Sequence, residues 1–206
     1  MTIDFMPRPL RRDVLRWLDK AVPAKRLQHI LRVEAMAIAL AQQHDLSVDL
    51  AQQAGLMHDL AKCFSPSKLL AVAEAEGWTL DPAETHCPHL LHAPVGAVVA
   101  RDTFGVTNPQ VLNAIAHHTL GSPDMDALGC VVYLADSLEP GRGDTPQLQH
   151  LRQLSYRDLW GATYETCVGS LQHLLENRRP LHPRTILTHN TLLQTHLRPK
   201  AVSSAA

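Results

Sequence analysis

Residues 54–62, Ala-Gly-Leu-Met-His-Asp-Leu-Ala-Lys, set two adjacent ligand-type side chains, His58 and Asp59, into an otherwise apolar stretch. Leu56, Met57, Leu60 and Ala61 bracket the pair, so the spacing predicts a helix that presents an imidazole and a carboxylate from an apolar surface. Neighbours on a helix point about 100° apart, yet both can flank one ion above the groove between them. Lys62 follows one turn later and adds an ammonium on the same face. A pair of metal ligands with a cation beside it suits a phosphate. A His-Asp dipeptide alone is weak evidence, so the weight falls on what else the chain supplies.

A chain of 206 residues with 45% hydrophobic content is expected to form one domain with a full core, or at most two small ones. Ten glycines and only 3 Phe, 3 Trp and 3 Tyr, against recurrent Ala, Leu and Gln, favour helices over strands. A formal charge of -1 makes no electrostatic case for nucleic acid or an acidic membrane as partner. Phosphate recognition must therefore be local. Cys63, Cys87, Cys130 and Cys167 form no CxxC pair, which points away from a disulfide framework and toward a reduced cytoplasm. The N-terminal residues lack a signal-peptide core, and no apolar run approaches the ~18 residues of a membrane span. Thirteen histidines are the one compositional anomaly that points to chemistry.

Apolar periodicity and Pro/Gly punctuation divide the chain into helices. The first is expected over 10–18, a short packing helix within an N-terminal segment 1–24. Others follow at 25–43, 48–62, 67–76, 94–104, 110–118, 124–138, 147–154 and 156–177, and a last one runs from Pro183 to about His196. Ser155 with Asp158 three residues on resembles a capping box for the longest. Residues 81–91 are less regular, 141–146 form a loop, and 198–206 are expected to be a disordered tail. No linker or repeat interrupts 25–197, so the expected fold is all-α, a single helical bundle with a metal site in its core.

Ligand-type residues on these helices or at their ends are His29, His58, Asp59, His92, one of His117 and His118, and Asp136. Imidazole suits iron, manganese or zinc, and carboxylate suits harder ions. If Asp59 bridges two octahedral ions, the six side chains fill about seven of twelve positions and leave roughly five for water and phosphate, which is an open site. The stretch His86-Cys87-Pro-His89-Leu-Leu-His92 also has a zinc-knuckle look but lacks a second ligand pair at finger spacing. His44, His150, His173, His182, His189 and His196 are most simply solvent-facing or helix-end residues, and the Arg178-Arg179 pair a solvated helix end.

His29, His58-Asp59 and Asp136 together resemble the HD phosphohydrolase superfamily. Longer stretches narrow this: Arg26-Leu-Gln-His29, His58-Asp59-Leu-Ala-Lys62, Leu91-His92-Ala-Pro94-Val-Gly96, His118-Thr119-Leu-Gly121 and Leu134-Ala-Asp136-Ser-Leu-Glu139-Pro140-Gly-Arg142. Over about residues 26–185 the chain resembles the YqeK-like HD family of bacterial hydrolases, which split diadenosine tetraphosphate symmetrically into two ADP. The resemblance implies that His29, His58, Asp59 and Asp136 hold a first iron, with manganese or cobalt as substitutes, and that His92 and His118 complete a second site or face the phosphates. It selects His118 over His117, because the family histidine immediately precedes Thr-x-Gly. It implies attack on a central phosphorus by a metal-bound hydroxide. Asp59, Lys62, His92 and His118 would be catalytic, with His92 the candidate proton donor to the leaving group. It places the substrate against Lys62, His92, His118, Thr119, Arg142 and the loop Arg179, Pro180, Leu181, His182, Pro183 and Arg184. The rival readings are another HD nucleotidase or phosphodiesterase, and a nucleotide-binding module without turnover; the expected assembly is a monomer or homodimer.

Overall fold

In a computed structural model that describes residues 8–197, the described residues form α-helices and short helical turns without a strand. Among them, α1 (Arg8–Ala21), α2 (Ala24–Gln43), α3 (Val48–Met57), α4 (Pro66–Ala75), α5 (Pro82–His86) and α6 (His92–Phe104) make the first half. The second half consists of α7 (Pro109–His117), α8 (Ala127–Leu138), α9 (Pro146–Ser155), α10 (Leu159–Glu176) and α11 (Pro183–Leu192). The expected C-terminal tail, 198–206, and the first seven residues of the N-terminal segment lie outside the described residues. No helix among the described residues is long and apolar enough to cross a membrane.

Helix starts follow local chemistry. Ser47, Ser65, Asn108, Asp126, Thr145 and Asp158 each accept a hydrogen bond from a backbone N–H of the first turn, which satisfies donors that a helix leaves unpaired. Proline opens α4, α5, α7, α9 and α11, where its missing N–H costs nothing. The capping box lies at Asp81 and Glu84 rather than at Ser155 and Asp158. Ser155 ends α9, with its hydroxyl donating to the Arg152 carbonyl, and Asp158 caps α10 by itself. The helix expected from Pro94 begins at His92, and the one expected from residue 124 begins at Ala127.

The core sits where α2, α3, α7 and α8 meet. Val33, Ala37, Leu40, Leu56, Ile115, Val131 and Leu134 are fully buried there. Gly55 explains how closely α2 and α3 approach: a Cβ at that position would lie 3.1 Å from the Ala37 Cβ and 3.2 Å from the Glu34 Cα. Glycine is the residue that permits such backbone proximity. α1 packs on this core through Val14 and Leu18, with Trp17 edge-on to Phe104 at 6.1 Å. Arg11 also grips the buried Glu34 through two bonds of 2.7 and 2.8 Å, a carboxylate that Gln52 binds as well.

Candidate metal centre

The helical expectation for residues 58–62 is corrected. α3 stops at Met57, and His58–Cys63 continue as tight turns, with Lys62 N–H donating to the Asp59 carbonyl at 3.0 Å and Phe64 N–H to that of Ala61. α6 packs directly behind them, because a Cβ at Gly96 would lie 3.3 Å from the His58 carbonyl oxygen.

Six side chains converge. His29, His58, Asp59, His92 and His118 are all at most 6% exposed, and the Asp136 side chain is 20% exposed. The Nδ1 atoms share one pattern: those of His58, His92 and His118 donate to the carbonyls of Gly55, His89 and Ile115 at 2.7, 2.6 and 2.8 Å, each three residues upstream. His29 Nδ1 lies 3.0 Å from Glu139 Oε1. Each bond commits the proton to Nδ1 and turns an Nε2 lone pair into the cluster, as second-shell partners do for metal-ligating histidines.

Asp59 divides the cluster. Its Oδ2 accepts from Arg26 at 2.9 Å and lies 3.4 Å from His58 Nε2 and 3.8 Å from His29 Nε2. Its Oδ1 faces His92 and His118 Nε2 at 3.5 and 3.7 Å. Asp136 Oδ1 lies 3.0 Å from His29 Nε2 and 3.8 Å from His58 Nε2. The 3.0 Å approach is out of line for a hydrogen bond, since His29 Nε2, His58 Nε2 and Asp59 Oδ1 are buried without any hydrogen-bond partner. Buried acceptors rarely stay unpaired. His92 and His118 Nε2 are 3.2 Å apart, two lone pairs facing each other. A divalent cation resolves these conflicts, and the donor set fits one: His29, His58 and Asp136 place one ligand atom each within 4.8 Å of one another, as do His58, Asp59 and His118.

Electrostatics agree. Burial opposes the charged forms of Asp59 and Asp136, yet the surrounding histidines, with Lys62 or Arg142, hold both carboxyls below the usual range. Burial and neighbouring cationic groups push His118 down to about 3 and His92 to about 4, the latter beside Lys62. His58 moves up despite its burial because Asp59 and Asp136 outweigh it. His92 therefore stands as a neutral acceptor, with Lys62 Nζ 3.1 Å and Thr119 Oγ1 3.1 Å from its Nε2. Lys62 and Thr119 are thus the two donors that face this nitrogen.

Three cavities separate the residues expected to hold substrate. A basic cavity of ≈ 540 Å³ is lined by Lys25, Arg26, His29, Arg32, Lys62 and Arg142, among others. An uncharged one of ≈ 440 Å³ includes Thr119. A third, of ≈ 750 Å³, lies beside Trp78, Glu84, His117 and Arg184. His118 faces the cluster, whereas His117 lines this third cavity. The loop 179–184 is not drawn to the cluster. Arg179, Pro180 and Pro183 are exposed and Leu181 is half-buried. His182 is buried, accepts from Arg184 N–H and sits 3.5 Å from Glu84, while Arg184 lies 3.7 Å from that same carboxylate. His86, Cys87 and His89 are exposed, and neither ligand-atom grouping includes them.

Arg26, Arg32 and Glu139 were absent from the expected site. Arg26 and Glu139 stood inside the quoted motifs, but a motif does not say which member holds a ligand and which holds another residue. Arg32 ion-pairs with Glu139, whose carboxyl is held down at about 2 by this pair, by His29 and by the Gly141 N–H, which together outweigh its burial.

The HD domain family matches residues 26–141. The chain is 34% identical to a symmetrical bis(5'-nucleosyl)-tetraphosphatase of Halalkalibacterium halodurans, over 82% of this chain and 89% of the relative. It is 33% identical to the Bacillus subtilis protein of the same name, over 89% and 97% of the two chains. Its fold is similar to the crystal structure of a Clostridium acetobutylicum protein described as a predicted HD superfamily hydrolase involved in NAD metabolism. The TM-score there is 0.86 at 30% identity, covering 91% of this chain and 98% of that one.

Proposed function

The chain belongs to the HD-domain family, and from that premise we propose that it is a metal-dependent hydrolase that splits dinucleoside tetraphosphates, diadenosine tetraphosphate among them, symmetrically into two nucleoside diphosphates. The observation that carries this reading is the set of four Nε2 lone pairs and two carboxylates gathered in one cluster beside a basic cavity. The relatives named for that reaction, which this chain matches over most of their length, supply the substrate.

His29, His58, Asp59 and Asp136 would hold one cation, and His92 and His118 would complete a second site or face the phosphates. Iron is the proposed metal, with manganese or cobalt as substitutes, since histidine and carboxylate accept all three. When bound, such a cation polarises phosphoryl oxygens and brings the pKa of water down toward ~7. The protein's own groups do the rest. Arg26 fixes Asp59, Glu139 fixes His29, and Arg142 fixes Asp136 through both its carbonyl, at 2.7 Å, and its carboxylate. Lys25, Arg32 and Lys62 line the basic cavity and neutralise phosphate charge that grows in the transition state. Lys62 or His92 would protonate the departing nucleoside diphosphate. The loop 179–184, which leads into Thr185 at the edge of the uncharged cavity, is proposed to cover the bound half. Four unpaired cysteines fit a reducing compartment, and the cytoplasm is the proposed location.

Metal analysis of protein purified without added metal, with chromatography of a diadenosine tetraphosphate digest, tests the proposal. ADP as the sole early product, carrying label from heavy-oxygen water, is expected. Early AMP plus ATP would move the attack off centre, and turnover of mononucleotides alone would make the chain a nucleotidase.

A further inference from the structure

The basic cavity accounts for phosphates, and its lining holds no Leu, Ile, Val, Phe, Tyr or Trp against which a nucleoside could pack. Between α8, α9 and α10 lies the ≈ 440 Å³ cavity whose lining holds no aspartate, glutamate, lysine or arginine. Its volume is within the roughly 300–1,000 Å³ of small-molecule sites, and its make-up, apolar walls with a few polar groups, matches them too. Leu120, Leu138, Leu148 and Leu151 supply walls. At one end Thr119 joins it to the cluster, with its Oγ1 3.1 Å from His92 Nε2, and Ser137 follows the ligand-type Asp136.

Two features of α10 point to an occupant. Thr166 lines the cavity, is 6% exposed, and its Oγ1 is buried with no hydrogen-bond partner. The other serine and threonine hydroxyls of α10 are satisfied: Thr163 donates to the Leu159 carbonyl at 2.7 Å and Ser170 to that of Thr166 at 3.0 Å. A lone unsatisfied hydroxyl in a cavity wall is costly unless a ligand meets it. One turn on, Gly169 leaves the wall bare; a Cβ there would meet only Gln147 Nε2, at an ordinary 3.7 Å. The position has room for a side chain and a helix penalty for glycine, yet it carries none.

We propose that this uncharged cavity seats the nucleoside of one substrate half and that the Thr166 hydroxyl is the group that reads it. The inference rests on the phosphohydrolase reading and deepens it. Phosphates stay in the basic cavity, the reacting centre lies at the cluster, and Thr119 marks the passage between. The hydroxyl can both donate and accept, so it suits the mixed polar edge of a nucleobase or a ribose hydroxyl.

Gly169→Leu adds a good helix former while filling the cavity. It should raise KM for diadenosine tetraphosphate by at least tenfold, abolish ADP binding in calorimetry, and leave the inhibition constant of inorganic tripolyphosphate and the metal content unchanged. Thr166→Val keeps the shape and removes the hydroxyl, and KM should rise about fivefold. Unchanged KM in both variants, with a higher Tm for Thr166→Val as expected when an orphan hydroxyl is simply removed, would overturn the assignment. Loss of tripolyphosphate inhibition along with ADP binding in Gly169→Leu would also overturn it, since the cavity would then not be separate from the phosphate site. Failure of the phosphohydrolase reading shows elsewhere, as absence of ADP release by the unaltered protein, and the calorimetry still reports on the cavity in that case.

Discussion

The two cavities that flank the histidine cluster are close in volume, ≈ 540 and ≈ 440 Å³, and opposite in chemistry. One gathers Lys25, Arg26, Arg32, Lys62 and Arg142 around a single carboxylate, Glu139; the other has no aspartate, glutamate, lysine or arginine in its lining. The difference teaches that a chain of net charge -1 can still concentrate cations where a polyphosphate would lie. It also explains the arginines beside the cluster. Arg26, Arg32 and Arg142 each spend part of their charge on Asp59, Glu139 or Asp136, so they orient the ligand-type side chains while facing the basic cavity.

Removing the centre that both cavities serve has the largest expected effect. Asp59→Ala should strip bound metal and lower hydrolysis beyond the ~10²-fold that loss of an outer partner costs, with helical content by circular dichroism kept. Full metal content and rate in that variant would sink the site assignment. His118→Ala comes next and should cost far more activity than His117→Ala, because His118 Nε2 faces Asp59 and His92 whereas His117 lines the third cavity. Equal losses would mean that the third cavity, rather than the two compared here, belongs to the reaction.

How much of this was legible in the sequence differs between helices and turns. The α2 and α7 segments were readable because their signals are local: a cap at Asn108, a proline at Pro109 and apolar periodicity, as the proline at Pro183 is for α11. The end of α3 was not, since Leu60 and Ala61 continue the apolar pattern beyond Met57, and only packing of α6 against the His58 backbone marks the change. The ligand-type residues were visible as histidines and aspartates on apolar elements. Their orientation was not, because it depends on Nδ1 bonds to carbonyls and on Glu139 across 110 residues of sequence. The uncharged cavity left no trace, as Thr166 and Gly169 are unremarkable in a helix until their neighbours from α8 and α9 are known.

Glu139 tests the basic side at smaller amplitude. Glu139→Gln weakens the hold on His29 Nδ1 and should lower metal affinity by roughly 10–100-fold, read by titration of chelator against activity. In metal-stripped protein the same carboxyl, held at about 2 against an ordinary 4.5, contributes stability that is full above about pH 4.5 and lost as pH falls through about 2. The stability gap between wild type and Glu139→Gln, measured by urea unfolding, should therefore narrow from pH 5 downward; a gap that widens would assign the carboxyl the opposite role.

The smallest expected effect separates the cavities without any mutation. Screening shortens the reach of exposed charge from about 10 Å at 0.1 M salt to about 3 Å at 1 M, and the basic cavity opens to solvent through groups such as Arg32 and Arg142, whose side chains are 37% and 40% exposed. KM for diadenosine tetraphosphate should rise a few-fold across that range. Adenosine carries no charge, and the second cavity has no aspartate, glutamate, lysine or arginine to screen, so its inhibition constant should stay level while that of inorganic tripolyphosphate climbs with KM. If adenosine weakened in step with tripolyphosphate, both would be sitting among the cations, and the division of labour between the two cavities would have to be given up while the metal centre stood.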